Sequence, residues 1–151
     1  MDATSIADAS EALVGSCANV SWYIHTFINK SQYVDTAMRV LAVEIDSLSQ
    51  VVGSITLSFR DPSLSARVLD LQTGYESEFW NYVKRSMDDC KDALGNLERI
   101  FENIKENSSR IVLRPRRQTN LEMKSEEIAS LKQQVNTYRQ IMQLSSQLLT
   151  V

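Results

Sequence analysis

The chain has 151 residues and a net charge of −3, and 43% of its residues are hydrophobic and 23% charged. This composition excludes a disordered or fibrous protein, and a chain of this length can bury roughly 70% of its unfolded surface. The negative charge argues against a nucleic-acid binder, which needs a dominant positive field. Only four Gly and two Pro are present, which favours few, long elements over a turn-rich sheet.

The first predicted helix covers about residues 4–29. Its apolar residues recur at helical spacing and define one buried face; they are Ile6, Leu13, Cys17, Val20, Ile24 and Phe27. Residues 12–29 lack any Asp, Glu, Lys or Arg, but polar residues such as Asn19 and His25 weaken insertion as a membrane-spanning helix. The start Met1-Asp2 has no basic segment typical of a secretory signal. We therefore expect a soluble, cytoplasmic resting state.

The second predicted helix, about residues 32–60, has the most regular pattern. Its apolar residues step by four and three; they are Val34, Met38, Leu41, Ile45, Leu48, Val52, Ile55 and Phe59. Asp61 followed by Pro62 is typical of a helix N-cap and first helical position. This pair predicts a short third helix over residues 62–72, through Leu64, Val68 and Leu71.

The remaining sequence predicts two long helices joined by a basic loop. Residues 75–107 carry the first stripe, formed by Val83, Met87, Cys90, Leu94, Leu97, Phe101 and Ile104. Residues 108–124 have no helical period. Ser125 is then a suitable N-cap, with two acidic residues in the first turn of a helix over 125–149. Its stripe contains Ile128, Leu131, Val135, Tyr138, Met142 and Leu149.

Each stripe can leave water only by packing against another stripe. Because the connections are short, we expect an all-α, up-and-down bundle of four long helices plus one short helix, in a single domain over residues 1–151. The same heptad-like spacing also fits a coiled coil between chains, in which a stripe is buried by its own copy. The sequence leaves this choice open.

Motifs for catalysis, phosphate binding and metal coordination are missing from the sequence. Cys17 and Cys90 fall at apolar positions, and we interpret them as reduced core thiols. His25 lies beside Tyr23 and Phe27 and is interpreted as a packing or boundary residue, with a pH-sensitive or catalytic group as the alternative. We therefore expect no enzyme activity, no catalytic, cofactor or metal site, and neither a small-molecule substrate nor nucleic acid as partner.

One candidate site lies in the predicted basic loop. Its residues are Arg110, Arg114, Arg116 and Arg117. Guanidinium groups spread in this way suit the phosphates of anionic lipids or carboxylates of a partner, with about 1 kcal/mol per charge near an anionic bilayer. The alternative is a solvated loop that pairs with the acidic helices.

The other candidate site is the uncharged first helix, with Trp22, Tyr23 and Phe27 toward its end. Aromatic residues of this kind favour a membrane interface, and they equally favour a bundle core. In the resting state we expect them in the core. A membrane role requires the helix to leave the bundle.

Three stretches of the chain resemble a known family. They are the opening MDATSIADASEALVGSCANVSWYIHTFI, the middle FWNYVKRSMDDCKDALGNLERIFENI and the closing RPRRQTNLEMKSEEIASLKQQVNTYRQIMQLSSQLLTV. Together they resemble the HeLo-like domains found at the N-terminus of fungal STAND proteins, also called NOD-like receptors. The closing stretch carries the more specific likeness.

The resemblance implies an effector module that clusters when a receptor oligomerises and then acts at membranes in programmed cell death or heterokaryon incompatibility. The membrane-active part would be the first helix, around Leu13, Val14, Val20, Trp22, Ile24 and Phe27. The expected partners are other copies of the chain and anionic membrane lipids, so that membrane association follows activation. The alternative is a protein–protein interaction or self-association module without membrane activity.

Overall fold

A computed structural model describes residues 3–30, 36–63, 75–109 and 125–149, and none of these residues lies in a strand. The helices are α1 (Ala3–Lys30), α2 (Thr36–Arg60), α3 (Tyr75–Ser109) and α4 (Ser125–Leu149). Their buried apolar residues form one common core. The prediction of an all-α bundle is confirmed.

The helices pack around this core in the order α1, α2, α4, α3, because α1 and α4 each contact both α2 and α3. Contacts between Ser10 and Thr56 and between Ser21 and Asp46 show that α1 and α2 are antiparallel. Helix α3 runs in the same direction as α1. Near the start of α3, Trp80 stacks edge-on against Phe59, which lies at the end of α2 and therefore beside the start of α1. Near the end of α3, Glu102 accepts a hydrogen bond from Tyr23, which lies toward the end of α1. Chain direction therefore alternates from α1 to α2 to α3.

The predicted stripes are the buried faces of the helices. On α2 all the predicted stripe residues from Met38 to Phe59 are buried, and on α3 the same holds from Val83 to Phe101. On α4 the stripe is buried at its first three positions and at Met142, while Tyr138 and Leu149 are partly buried against the core. Of the other predicted stripe residues, Val34 and the Ile104 side chain lie outside the described residues.

Apart from the start of α2, the described helix boundaries differ from the approximate predicted ones by at most two residues. Helix α3 continues to Ser109, so the first two residues of the loop predicted from 108 are helical, because the apolar pattern does not fix the last turn of a helix. Residues 31–35 lie outside the described residues, and α2 is described from Thr36. The remainder of the predicted loop, 110–124, also lies outside them.

The start of the predicted short helix is visible at Asp61, Pro62 and Ser63. The backbone N–H of Ser63 donates a hydrogen bond of 3.0 Å to Oδ1 of Asp61, and its hydroxyl donates another of 2.9 Å. This is the contact that an N-cap carboxylate makes with a backbone N–H that has no helical partner. Residues 64–72, which would form the rest of this helix, lie outside the described residues.

Candidate functional site

The six residues predicted for a membrane-active first helix do not form one surface in the bundle. Leu13, Val20 and Ile24 point into the core and are fully buried. Val14 is half-buried against the core. Trp22 is 55% exposed on the outside, so the expectation that it lies in the core is wrong, because its position is on the side of the helix opposite to the buried stripe. Phe27 lies on α1, but its side chain is outside those described. The helix thus has an apolar inner face in the core and an outer face exposed to solvent.

The outer face of α1 carries no charge along its central part. Its exposed residues between positions 12 and 22 are Ala12, Gly15, Ala18, Asn19 and Trp22. The indole ring of Trp22 packs edge-on against the Tyr23 ring at 5.1 Å between centroids. Apart from Trp22 these residues are small, so this face is smooth as well as uncharged.

Polar contacts join the start of α1 to the end of α2. The Arg60 guanidinium pairs with the carboxylates of Asp8, at 3.3 Å, and Glu11. Further inside, the Thr56 hydroxyl donates to Ser10 Oγ at 2.7 Å, and the buried Ser10 hydroxyl donates to the Ala7 carbonyl at 2.8 Å. Because Arg60 and its partners are about half-exposed or more, the ion pairs contribute little stability.

The end of α1 is joined to α2 through Asp46. The Ser21 hydroxyl donates to Oδ1 of Asp46 at 3.1 Å, and Nε2 of His25 lies 3.8 Å from Oδ2. The His25 side chain is about half-exposed at this α1–α2 boundary. Of the two interpretations of His25, the position matches a boundary residue.

The two cysteines are free thiols buried between the helices, as predicted. Burial raises the pKa of Cys17 from its ordinary value of 9.0 to about 12, with a smaller contribution from the charge of Asp46. Burial also raises the pKa of Cys90, and Cys17 adds to this shift. Both thiols are therefore protonated near neutral pH, and neither has the lowered pKa of a reactive cysteine.

Among the described residues, one segment is long and apolar enough to cross a membrane by length and composition, and it is Met38–Arg60 on α2. A core helix of a soluble protein can pass the same test. The sequence reasoning singled out α1 because it lacks charges between residues 12 and 29. The mean hydropathy along the helix, rather than the count of charges, is the signal that identifies α2.

The sequence reasoning also missed a surface, here named the neutral face, formed by the outer sides of α2 and α4. On α2 it consists of Val40, Val43, Ser47, Gln50, Ser54 and Leu57, all at least partly exposed. Beside it on α4 lie the amides of Asn136 and Gln143, which flank Arg139.

An ion pair lies in the seam between the two helices of the neutral face. Nε of Arg139 donates to Oε2 of Glu44 at 2.9 Å, and these side chains are only 24% and 22% exposed. The Asn136 and Gln143 side-chain oxygens accept the two other hydrogen bonds of Arg139, at 2.7 and 3.2 Å. These two charges in the seam therefore cancel.

The predicted anionic-surface site cannot be placed relative to these features. Arg110, Arg114, Arg116 and Arg117 all lie outside the described residues. The structure therefore neither brings these arginines together nor separates them.

Comparison of the chain with family models, with curated proteins and with solved structures gave no match.

Proposed function

We propose that the chain is an effector module that self-associates and, once clustered, inserts α1 into an anionic membrane. The observation that carries the proposal is the two-sided character of α1. Its inner face is apolar, and its outer face has no charge from residue 12 to residue 26. Each charged residue at the centre of a membrane helix costs about 2.5–3.5 kcal/mol, and this part of α1 has none to desolvate.

The bundle opposes release of α1 in solution. Leu13, Cys17, Val20 and Ile24 are fully buried, and exposing each large apolar side chain costs about 1.5–3 kcal/mol. A bilayer restores this burial, so a membrane can stabilise the released helix where water cannot. The arginines at 110, 114, 116 and 117 would add attraction to anionic lipids. In this proposal α1 leaves the bundle only at a membrane and after clustering.

The resemblance of the chain to HeLo-like domains supports the same proposal. It suggests the context of a fungal NOD-like receptor of the STAND class, in which programmed cell death or heterokaryon incompatibility follows clustering. The module would be cytoplasmic at rest and membrane-associated when active. Its partners would be other copies of the chain and anionic lipids.

Dye leakage from phosphatidylserine-containing vesicles tests the membrane step. The chain is fused to a hexameric coiled coil so that clustering is supplied from outside, and we expect leakage from these vesicles and little from phosphatidylcholine vesicles. The change Ala18→Glu places a charge on the exposed outer face of α1 and should reduce leakage at least tenfold. Asn96→Glu, at an exposed site on α3, is the matched control. Equal leakage by both variants would rule out α1 as the inserting helix.

Trp22 reports the position of α1 directly. In a Trp80→Phe variant Trp22 is the single tryptophan, and we expect its emission to shift to shorter wavelength and to be quenched by brominated lipid. The Trp22→Phe variant, which keeps only the buried Trp80, is the control. Leakage without a response of Trp22 would point to α2, the helix apolar enough to span.

The second candidate function is an interaction module without membrane activity. The neutral face favours it, because that surface offers amide and aliphatic groups to another protein. Light scattering over a concentration series, combined with vesicle binding, separates the two functions. Self-association without any lipid affinity would favour the interaction module.

A further inference from the structure

Helix α2 carries two stripes with the spacing of helix–helix contacts. The first, from Met38 to Phe59, is buried in the core of the bundle. The second is the α2 part of the neutral face, at positions 40, 43, 47, 50, 54 and 57, which also step by three and four. Its aliphatic members are large and exposed, since Val43 is 63% and Leu57 74% exposed. A 3–4 stripe of this kind is the seam through which two helices pack in a coiled coil.

Few charged residues lie beside this second stripe, and one of them, the exposed Arg39, is at its N-terminal end, one turn before Val43. Between residues 40 and 59 the only charged residues of α2 are Glu44 and Asp46. Glu44 is paired with Arg139 in the seam, and Asp46 faces α1, where it accepts a hydrogen bond from Ser21. Between residues 133 and 149 of α4, Arg139 is the single charged residue. In contrast, the 25 residues of α3 from Glu78 to Glu102 include ten charged ones.

We infer that the neutral face is the surface through which two copies of this chain associate, with the second stripe of α2 at its centre. A stripe whose own positions carry no charge can meet its own copy, because few like charges are brought together in the contact. The amides and hydroxyls of Gln50, Ser47 and Ser54 can both donate and accept, so they can pair with the same groups in a second copy. A symmetric pair of this kind is the commonest form of oligomer.

A second copy fits this face better than a membrane does. The α2 stripe has one basic residue at its N-terminal end, Arg39, and none from residue 40 to residue 57, so it attracts anionic lipid headgroups only weakly. Its middle consists of Ser47, Gln50 and Ser54, and polar groups of this kind are costly in hydrocarbon unless they have hydrogen-bond partners. The face of another copy supplies such partners.

The size of the face sets the strength of the association. The stripe from residue 40 to residue 57 is about 26 Å long at 1.5 Å per residue, and two helices are about 20 Å wide. Such a contact buries about 1,000 Å² in total, which is at the lower limit of specific interfaces. We therefore expect weak pairing of the free chain and strong pairing when clustering raises the local concentration. The inference rests on the proposed function in this respect, because that function requires the copies to cluster.

Charge exchange at Gln50 tests the inference. Gln50 is exposed and lies near the middle of the stripe, so that it is close to the symmetry axis for either orientation of the pair. Sedimentation velocity over a concentration series of the full chain should show reversible dimers. Gln50→Glu alone and Gln50→Lys alone should each weaken dimerisation at least tenfold, and an equal mixture of the two should restore it. Melting curves of each variant should match that of the unmodified chain.

The matched control is the same pair of changes at Gln134. This glutamine is exposed on α4, and it lies five positions before Arg139 and therefore on the side away from α2. Gln134→Glu and Gln134→Lys should dimerise as the unmodified chain does. The inference would be overturned if the Gln50 variants dimerise as strongly as the unmodified chain. It would also be overturned if the unmodified chain stays monomeric at every concentration.

Vesicles separate this inference from the proposed function. Leakage by the coiled-coil fusion does not depend on the neutral face, because the fusion supplies the clustering. If the fusion causes no leakage but the Gln50 variants of the free chain lose dimerisation, the membrane step is refuted and the dimer interface is still supported. A free chain that never dimerises but loses vesicle binding on Gln50→Glu would show that the face contacts lipid, and that result too would overturn the inference.

Discussion

Leu41 on α2 and Leu97 on α3 are fully buried in the shared core, and their side chains are the simplest probes of its packing. Leu41→Ala and Leu97→Ala should each lower the free energy of unfolding by about 2–5 kcal/mol, because each change removes buried methyl groups and leaves a cavity. Urea denaturation monitored by circular dichroism measures this loss. Leu144→Ala is the control, since Leu144 is exposed and its change should stay within about 0.5 kcal/mol. Similar losses at all three positions would contradict the assignment of the core.

Because burial raises the pKa of both thiols, the free energy of unfolding should fall at alkaline pH. In the unfolded chain Cys17 ionises near pH 9, whereas in the folded chain its pKa is about 12. Stability is thus fully present below pH 9 and falls as the pH rises toward 12, by about 1.4 kcal/mol per pH unit for each such thiol. Urea unfolding between pH 8 and pH 10.5 should show this decline. In Cys17→Ala the unfolding free energy should fall less steeply with pH than in the unmodified chain. An equally steep fall would mean that the Cys17 thiol is not desolvated in the folded state.

At the scale of the elements, two arginine contacts join α2 to its two neighbours, and they differ in burial. Arg139 and Glu44 join α4 to α2 and are about three-quarters buried, whereas Arg60 and Glu11 join α1 to α2 and are mostly half-exposed or more. Water screens the exposed pair, while in the buried pair Arg139 also donates hydrogen bonds to the side-chain oxygens of Asn136 and Gln143. The α2–α4 contact is therefore the more firmly fixed of the two by its polar groups.

Double-mutant cycles should show this difference between the two contacts. The cycle of Arg139→Ala with Glu44→Ala should give a coupling energy of about 1–2 kcal/mol, because either single change leaves a largely buried charge without its partner. The cycle of Arg60→Ala with Glu11→Ala should give less than about 1 kcal/mol. Unfolding free energies of the seven proteins, one unmodified, four single and two double variants, measure both couplings. A larger coupling at Arg60 would show that α1, rather than α4, is held by its ion pair.

The elements themselves were largely predictable, because a buried face imposes its period on the sequence. The stripe of α2 from Met38 to Phe59 was predicted position by position and is buried. The N-cap role of Asp61 was also predicted, because it depends on the local sequence Asp-Pro alone. The end of α3 was predicted only to within two residues, because the apolar pattern does not fix the last turn of a helix.

For the whole molecule, the shared core predicts that α1 does not open independently in solution. Exposing its fully buried side chains would cost about 6–12 kcal/mol, which is comparable with the total stability of a domain of this size. Hydrogen exchange should therefore protect the amides around Leu13 and Val20 as strongly as those around Leu48 and Leu94. Addition of anionic vesicles to the clustered chain should change the exchange of α1 before that of α3. Fast exchange confined to α1 in solution would show that the helix is released without a membrane.

The candidate site was less predictable than the fold. The sequence identified the uncharged part of α1 and the buried stripe with Leu13, Val20 and Ile24. The exposure of Trp22 was missed, because an aromatic side chain suits a core and a surface equally well. The carboxylate partners of Arg60 and Arg139 are 49 to 95 positions distant, and long-range pairs leave no local pattern. The neutral face depends on how α2 and α4 pack, so it has no signature within either helix alone.

The helices and their buried stripes follow from the sequence alone, because a helix in water must bury the apolar face that repeats at 3.6 residues. The packing of the helices was needed to show that the second stripe of α2 stays exposed and what lies beside it. Both stripes have helix-contact spacing, and the continuous aliphatic stripe is buried because it removes more apolar area from water than the one containing Ser47, Gln50 and Ser54. The packing order α1, α2, α4, α3 then placed the amides of α4 beside the exposed stripe and formed a surface from two segments that are distant in sequence.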